Sequence, residues 1–411
     1  MISKSKLKQK ILFWSIISIA ILNHVIKEPK IATFLGIAVF IIFSLFETKN
    51  KLFFKILTPF IIVILTGFVF SFKNNTDDVV RDGFYFLNPL LYFMLGSIYA
   101  LNFSLNFFLR IIIIIGTVLS LIFIIQTFFN FGLNIVENQN DIRGIIGVGN
   151  PISILTLTIL LFYNKYPFLK LIIRLRYRIL LLVINFTSLI FFASRTYLGI
   201  FLIIVLFLMF PFIKKQTIKY FSILIVAIIG LILVLNSYKD SFLVNKLYNS
   251  LYEISITEAA NTENVNINYR GYETLMAIDT YLEGSITENI FGLGFGKLID
   301  LKMFVGVGGD TGGGTRFIPI LHNGFAYLLV KTGIIGMLFF LIFIYRIFAI
   351  SITIYKKFEF LSLFTMSSII TLLFATFIVS GFFNMEFIVL MLIIGALLQY
   401  TVLLKLKKMI N

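Results

Sequence analysis

The chain lacks cysteine altogether and has two histidines, one tryptophan and 19 acidic residues among 411. Without cysteine there is no disulfide framework and no thiolate metal site. Two histidines do not make a histidine-rich metal site either, and no cofactor motif is read from this composition. Charge of either sign is scarce, at 13% of residues against 59% hydrophobic, and mean hydropathy is +1.00. A water-soluble domain of this length and composition would leave too much apolar surface in water. Lipid is therefore the solvent for most of the chain. The 35 Lys+Arg outnumber the carboxylates, but in a chain of this kind the excess marks loops on one side of a membrane, not a nucleic-acid partner.

What is abundant is apolar sequence in runs long enough, or nearly so, to cross about 30 Å of hydrocarbon. These runs fall near 11–26, 31–46, 52–72, 84–101, 107–131, 145–163, 179–194, 196–213, 218–235, 321–345, 360–380 and 385–404. The expected fold is an all-α polytopic membrane protein of about twelve helices. Residues 1–235 hold helices one to nine, 236–317 form one large extracytoplasmic loop with short helices, and 318–411 hold helices ten to twelve. The basic start (Lys4, Lys6, Lys8, Lys10) precedes a first run with no small-residue cleavage site, so that run reads as a retained span.

Basic clusters recur at Lys49/Lys51/Lys55, Lys165/Lys170/Arg174/Arg176/Arg178, Lys214/Lys215/Lys219, Lys356/Lys357 and Lys405/Lys407/Lys408. With twelve spans all of them share a side with the N-terminus, and of the acidic residues only Glu47 and Glu359 join them. That is the positive-inside pattern, and it puts both termini in the cytoplasm. The loop carries ten acidic residues. Within it, 268–283 has spacing compatible with a surface helix, and FGLGFG (291–296) and GVGGDTGGGT (306–315) read as turns and flexible loop. The second glycine run lacks the Gly-Lys-Ser/Thr ending of a phosphate-binding loop and faces away from cytoplasmic nucleotide. No internal repeat is visible.

Ionisable groups near spans are costly and tend to be functional, although long ones also anchor helix ends. Arg143, Arg195, Arg270 and His322 all fall at the outer face. Each arginine has two readings, an interfacial anchor or an anion ligand. Arg195 sits in a hairpin with almost no loop and no acidic partner, against the orientation rule. His322 is either a hydrogen-bonded residue at a helix start or a proton acceptor. Lys331, nine residues on, either lines a cavity or marks a break in its helix, and Gly333 and Gly336 are spaced to let another helix approach. Several guanidinium groups with a histidine among them suit a phosphate-bearing, lipid-linked ligand.

The pattern resembles the O-antigen ligase/polymerase family of bacterial envelope glycosyltransferases. The architecture is similar over most of the chain. The motifs lie between about 141 and 336 and comprise RGIIGVGNP from Arg143, ASRTYLGIF around Arg195, NYRGYETLMAI around Arg270, and FGLGFG followed by HNGFAYLLVKTGIIG from His322.

The resemblance implies a metal-independent enzyme of the bacterial cytoplasmic membrane, active on its outer face. Such an enzyme moves a glycan from a polyprenyl diphosphate to an acceptor hydroxyl and inverts the anomeric centre. By the same resemblance Arg195 and Arg270 hold the diphosphate, with Arg143 a weaker member of that anionic site. His322 is the general base, and Asn323 helps orient it or the substrate. The partners implied are the lipid-linked oligosaccharide, the bilayer, and a chain-length regulator or flippase. A polymerase building O-antigen or capsule is favoured. A ligase transferring chains to lipid A core is the alternative, and a transporter of lipid-linked polysaccharide is the lesser one. Transport is disfavoured because the spans are nearly free of carboxylates, Glu386 lying at an outer end.

Overall fold

The computed structural model describes residues 4–44, 51–132, 151–166, 171, 173–192, 194–212, 268–305 and 315–410. These residues form an all-α bundle with a small β-hairpin in the segment between helices eight and eleven. The helices are α1 (Lys4–His24), α2 (Pro29–Ser44), α3 (Lys51–Phe68), α4 (Thr76–Asn102), α5 (Leu105–Phe131), α6 (Pro151–Phe162), α7 (Leu175–Phe192) and α8 (Arg195–Met209). After these come α9 (Tyr269–Leu282), α10 (Ile286–Phe291), α11 (Gly324–Ile354), α12 (Glu359–Val379) and α13 (Ile388–Ile410). Among the described residues, seven helical stretches are long and apolar enough to cross a membrane, and three shorter apolar ones accompany them. The expected ninth segment, 218–235, lies outside the described residues.

The hairpin pairs β1 (Ile299–Val305) antiparallel with β2 (Thr315–Ile318), with Ile299 opposite Ile318 and Asp300 opposite Phe317. Its strands were not expected from the sequence, where the surrounding glycines dominated the reading. The glycine-rich stretch between them lies outside the described residues, apart from Thr315, which opens β2.

One end of the bundle collects the described basic clusters. The start of α1 meets the end of α4 through Gln9 and the Asn102 carbonyl, and Arg346 near the end of α11 donates to the Lys55 carbonyl at the start of α3. Arg178 at the start of α7 donates to the Leu160 and Leu161 carbonyls, which α6 leaves unpaired at its last turn. The opposite end carries α9, α10 and the hairpin. There Phe60, Phe86, Phe93, Tyr327, Phe340, Phe382 and Phe383 pack ring on ring, with Phe295 of the FGLGFG stretch only 4.7 Å from Phe86. This aromatic core joins α3, α4, α11 and the turn after α12 to the 291–296 segment.

Two helices differ from the hydropathy reading in ways that matter for the site. Helix α4 begins at Thr76, eight residues before the apolar run, because Asn75 caps it by accepting from the Asp77 N–H. Asp82 thus lies inside a helix and is wholly buried. Helix α11 is broken at Gly333 (φ 63°, ψ −167°), so of the two readings of Lys331 the break is the one observed. What approaches Gly333 is not another long helix. A methyl group there would stand 2.5 Å from the Ile290 carbonyl oxygen at the end of α10. The expected close approach of a helix holds at Gly336 alone, which faces Thr66 of α3.

Candidate functional site

The site forms where α9, the start of α11 and the turn after α12 meet. Within one turn of α9, the sequence puts Tyr269, Arg270 and Glu273, spacings that share a helix face. The far side of α9 is tied to the hairpin by the Tyr272 hydroxyl, which donates to the Leu301 carbonyl at 2.6 Å. Glu273 then points at the start of α11. Its Oε2 lies 2.8 Å from His322 Nδ1 and also accepts from the His322 backbone N–H at 3.2 Å.

Against an ionised carboxylate, which can only accept, a neutral imidazole carries its proton on Nδ1 and keeps the lone pair on Nε2. The Glu273 side chain is 3% exposed and that of His322 42%. Nδ1 is the edge against Glu273, which leaves Nε2 as the ring nitrogen without a partner among the described residues. Tyr269 closes one side, edge-on to the imidazole at 5.9 Å between ring centres. Burial, then the Glu273 carboxylate beside it, push the Tyr269 hydroxyl above its ordinary range, so it stays protonated. The arrangement is an imidazole held by one edge on a carboxylate, with its other nitrogen unpartnered among the described residues, a geometry compatible with general-base chemistry.

Asn323 does a structural job here. Its side-chain oxygen caps α11, accepting from the Phe325 and Ala326 N–H groups at 3.0 and 3.3 Å. This fixes the backbone one residue after His322. On the other side the His322 carbonyl accepts from the Ser380 N–H, in the left-handed turn that ends α12.

That turn leads on through residues 380–387, where the Phe387 ring stacks on Tyr197 at 6.1 Å. Tyr197 lies two residues past Arg195, which opens α8 after the short break from α7. The backbone at Arg195 and the His322 turn therefore border the same 380–387 connection. The Arg195 side chain and all of Arg143 lie outside the described residues. Arg270 is half-buried, one turn before Glu273. The other histidine, His24, is buried at the end of α1, with Nε2 facing the Asn23 amide at 3.4 Å.

A second polar cluster sits deeper. Lys331 Nζ lies 2.6 Å from Asp82 Oδ2, both side chains wholly enclosed. The other Asp82 oxygen accepts from the Tyr327 hydroxyl at 2.8 Å, and Oδ2 also accepts from the Gly296 N–H at 2.7 Å. Lys331 donates in addition to the Lys297 carbonyl. The break at Gly333 frees the Val330 carbonyl, and the Leu293 N–H takes it at 2.8 Å. Gly292, Gly294 and Gly296 all have positive φ, which lets FGLGFG thread between α3, α4 and α11. This cluster locks the loop onto the helix that begins with His322.

The sequence reading missed Glu273 and Asp82. Glu273 had a signal, since it follows Tyr269 and Arg270 by four and three residues on an expected helix. Asp82 fell outside the apolar run that marked its span. Among the described residues no cluster of His, Cys, Asp and Glu is arranged to hold a metal ion. Set against protein-family models and curated proteins, the chain matches none.

Proposed function

We propose that this protein is a polysaccharide polymerase of the bacterial cytoplasmic membrane. It would transfer a glycan from a polyprenyl-diphosphate donor to a sugar hydroxyl on the outer face. The reading takes twelve spans, with the basic end of the bundle in the cytoplasm and the end carrying α9 outside. The observation that carries it is the Glu273–His322 contact, which leaves Nε2 of the imidazole without a partner among the described residues, beside the helix that also bears Arg270.

In the reaction His322 Nε2 takes the proton of the acceptor hydroxyl. The acceptor oxygen bonds to the anomeric carbon from the side opposite the leaving group, and the bond from that carbon to the diphosphate oxygen breaks. Its electron pair leaves with the polyprenyl diphosphate, whose charge Arg195 and Arg270 neutralise, with Arg143 in reserve. Diphosphate is a good leaving group, so the work asked of the protein is positioning, charge neutralisation and proton removal. Glu273 is a positioning residue that fixes the imidazole and its tautomer. Transfer to lipid A core instead of a second lipid-linked glycan is the same chemistry with another acceptor.

The buried Asp82–Lys331 pair favours one other reading, a transporter, because an enclosed carboxylate in a span is where ion coupling is usually found. Against it, each Asp82 oxygen already has a partner that holds the fold.

Complementation of a strain lacking its own copy tests the proposal. Arg195→Lys is expected to give little polymer at normal expression, because an ammonium does not reproduce the bidentate fork on phosphate. Glu273→Gln is expected to lower the rate more than about tenfold, as happens when the carboxylate orienting a catalytic imidazole is lost. It should also alter the pH dependence of the rate, which a merely structural residue would not. Normal polymer from Arg195→Lys would remove that residue from the diphosphate site, and an unchanged pH profile in Glu273→Gln would remove Glu273 from the mechanism.

A further inference from the structure

The short helix α10 carries apolar side chains that nothing in the chemistry at His322 uses. Ile286 is 80% exposed, and Ile290 and Phe291 also face out. Its polar side is fixed by a capping box, in which Ser285 and Glu288 satisfy each other's backbone N–H groups. Lys73 pairs with Glu288 at 2.7 Å and ties α10 to the turn after α3. The Lys73 contact, followed by the bonds from Ser285, holds the Glu288 carboxyl down at about 2 against an ordinary 4.5. A depressed pKa means that the contact stabilises the fold above the ordinary value. That contribution is lost only as pH falls towards about 2, so the tether persists at neutral pH.

The exposure pattern along α11 says what lies against α10. From Gly324 to Gly333 no residue is exposed, and from Ile334 onward Ile334, Leu338, Leu341, Tyr345 and Ile352 face out in a helical stripe. From Ile334 to Ile352 is about 27 Å at 1.5 Å per residue, close to the thickness of about 30 Å of a hydrocarbon core. Lys356 and Lys357 follow directly at the basic end. The stripe therefore matches the acyl region, and its upper limit is Gly333, where α10 ends against the backbone. Helix α3 gives the same level independently. Its exposed residues Phe54, Ile61, Leu65 and Phe68 lead to Phe72, 78% exposed, followed at once by Lys73. Ile286 and Ile290, four apart on one face, thus continue two lipid-facing stripes at the height where both end.

We propose that α10 is an interfacial helix whose Ile286, Ile290 and Phe291, with Phe72, dock into the acyl chains of the bilayer leaflet at the α9 end. Helices of this kind lie in the membrane plane with the apolar face down and charges up. Only residues 283–285 separate α10 from α9, so the leaflet would set the height of Arg270 and Glu273 above the membrane. The inference stands whatever reaction His322 performs.

The chain's single tryptophan, Trp14, allows a direct test. In a Trp14→Phe background, Ile286→Trp protein is reconstituted into phosphatidylcholine vesicles with or without brominated acyl chains. Ile290→Trp serves as a second reporter should the first variant fail to fold. The expected result is loss of most tryptophan emission in brominated lipid, with protection from aqueous iodide. A Glu283→Trp reporter should respond in the opposite sense. Emission from position 286 that iodide quenches and bromine does not would overturn the proposal. Protection from both quenchers that varies with protein-to-lipid ratio would overturn it too, since the face would then be covered by a second copy.

Discussion

A protein carrying His322→Gln is expected to fold, reach the membrane and transfer glycan about 10²–10⁴-fold more slowly than the parent, the usual loss when a positioned base is removed. Glutamine is the informative replacement. Its amide can still donate to Glu273, so the buried carboxylate keeps a side-chain partner, but it cannot accept a proton at neutral pH. His322→Ala is expected to lose as much activity and in addition to leave Glu273 with less compensation. An unmet buried group of that kind costs about 1–3 kcal/mol. The backbone N–H of residue 322 still reaches Glu273 in both variants, which limits the damage. Thermal stability measured beside transfer separates the two effects: glutamine should lose activity alone, alanine activity with a modest loss of stability. Parental activity in His322→Gln would mean that the imidazole is only a helix-start residue.

Lys331→Met is expected to show the largest loss of stability. It leaves Asp82 buried with the Tyr327 and Gly296 donors but without its near counter-charge, only Arg81 remaining at 3.7 Å. Removing one partner of a buried ion pair typically costs about 3–5 kcal/mol. The double variant Asp82→Asn/Lys331→Met should recover part of that, because no uncompensated charge remains. Unfolding midpoints in one detergent, for the parent, both single variants and the double, measure this coupling. The result also separates the two readings of the pair. A structural lock gives an unstable single variant and a partly rescued double. Single and double variants as stable as the parent would mean that the pair does not lock the loop, and would return weight to an ion-coupling role.

How much of this was legible in the sequence depended on which physical signal carried it. Hydropathy placed the described helices well, because an apolar run in lipid has little choice but to be helical. The helix over 268–283 was readable from its mixed spacing, and it is found at Tyr269–Leu282. Helix ends were harder. Asn75 and Asn323 are caps, and a cap is a local polar contact that an apolar window does not register. That is why Asp82 falls outside the apolar run of its span, and why the capping of α11 by Asn323 is not visible in the sequence beside its expected role of orienting His322 or the substrate. The hairpin was hidden because its strands are short and flanked by glycine. The break at Gly333 was foreshadowed only by Lys331, whose charge inside a greasy helix demanded a partner that sequence distance could not identify. Glu273 was hidden differently. One carboxylate among ten in a polar loop carries no mark until a helix turns it towards a histidine 49 residues away.

The measurement that tests the central claim uses purified protein in lipid, given one polyprenyl-diphosphate repeat unit from the source strain and no other acceptor. The account predicts a ladder of longer glycans still attached to the lipid diphosphate, absent with His322→Gln. A product formed only once lipid A core is supplied would keep the chemistry and make the protein a ligase. No glycosidic bond formed with either acceptor, from protein shown to be folded, would contradict the account.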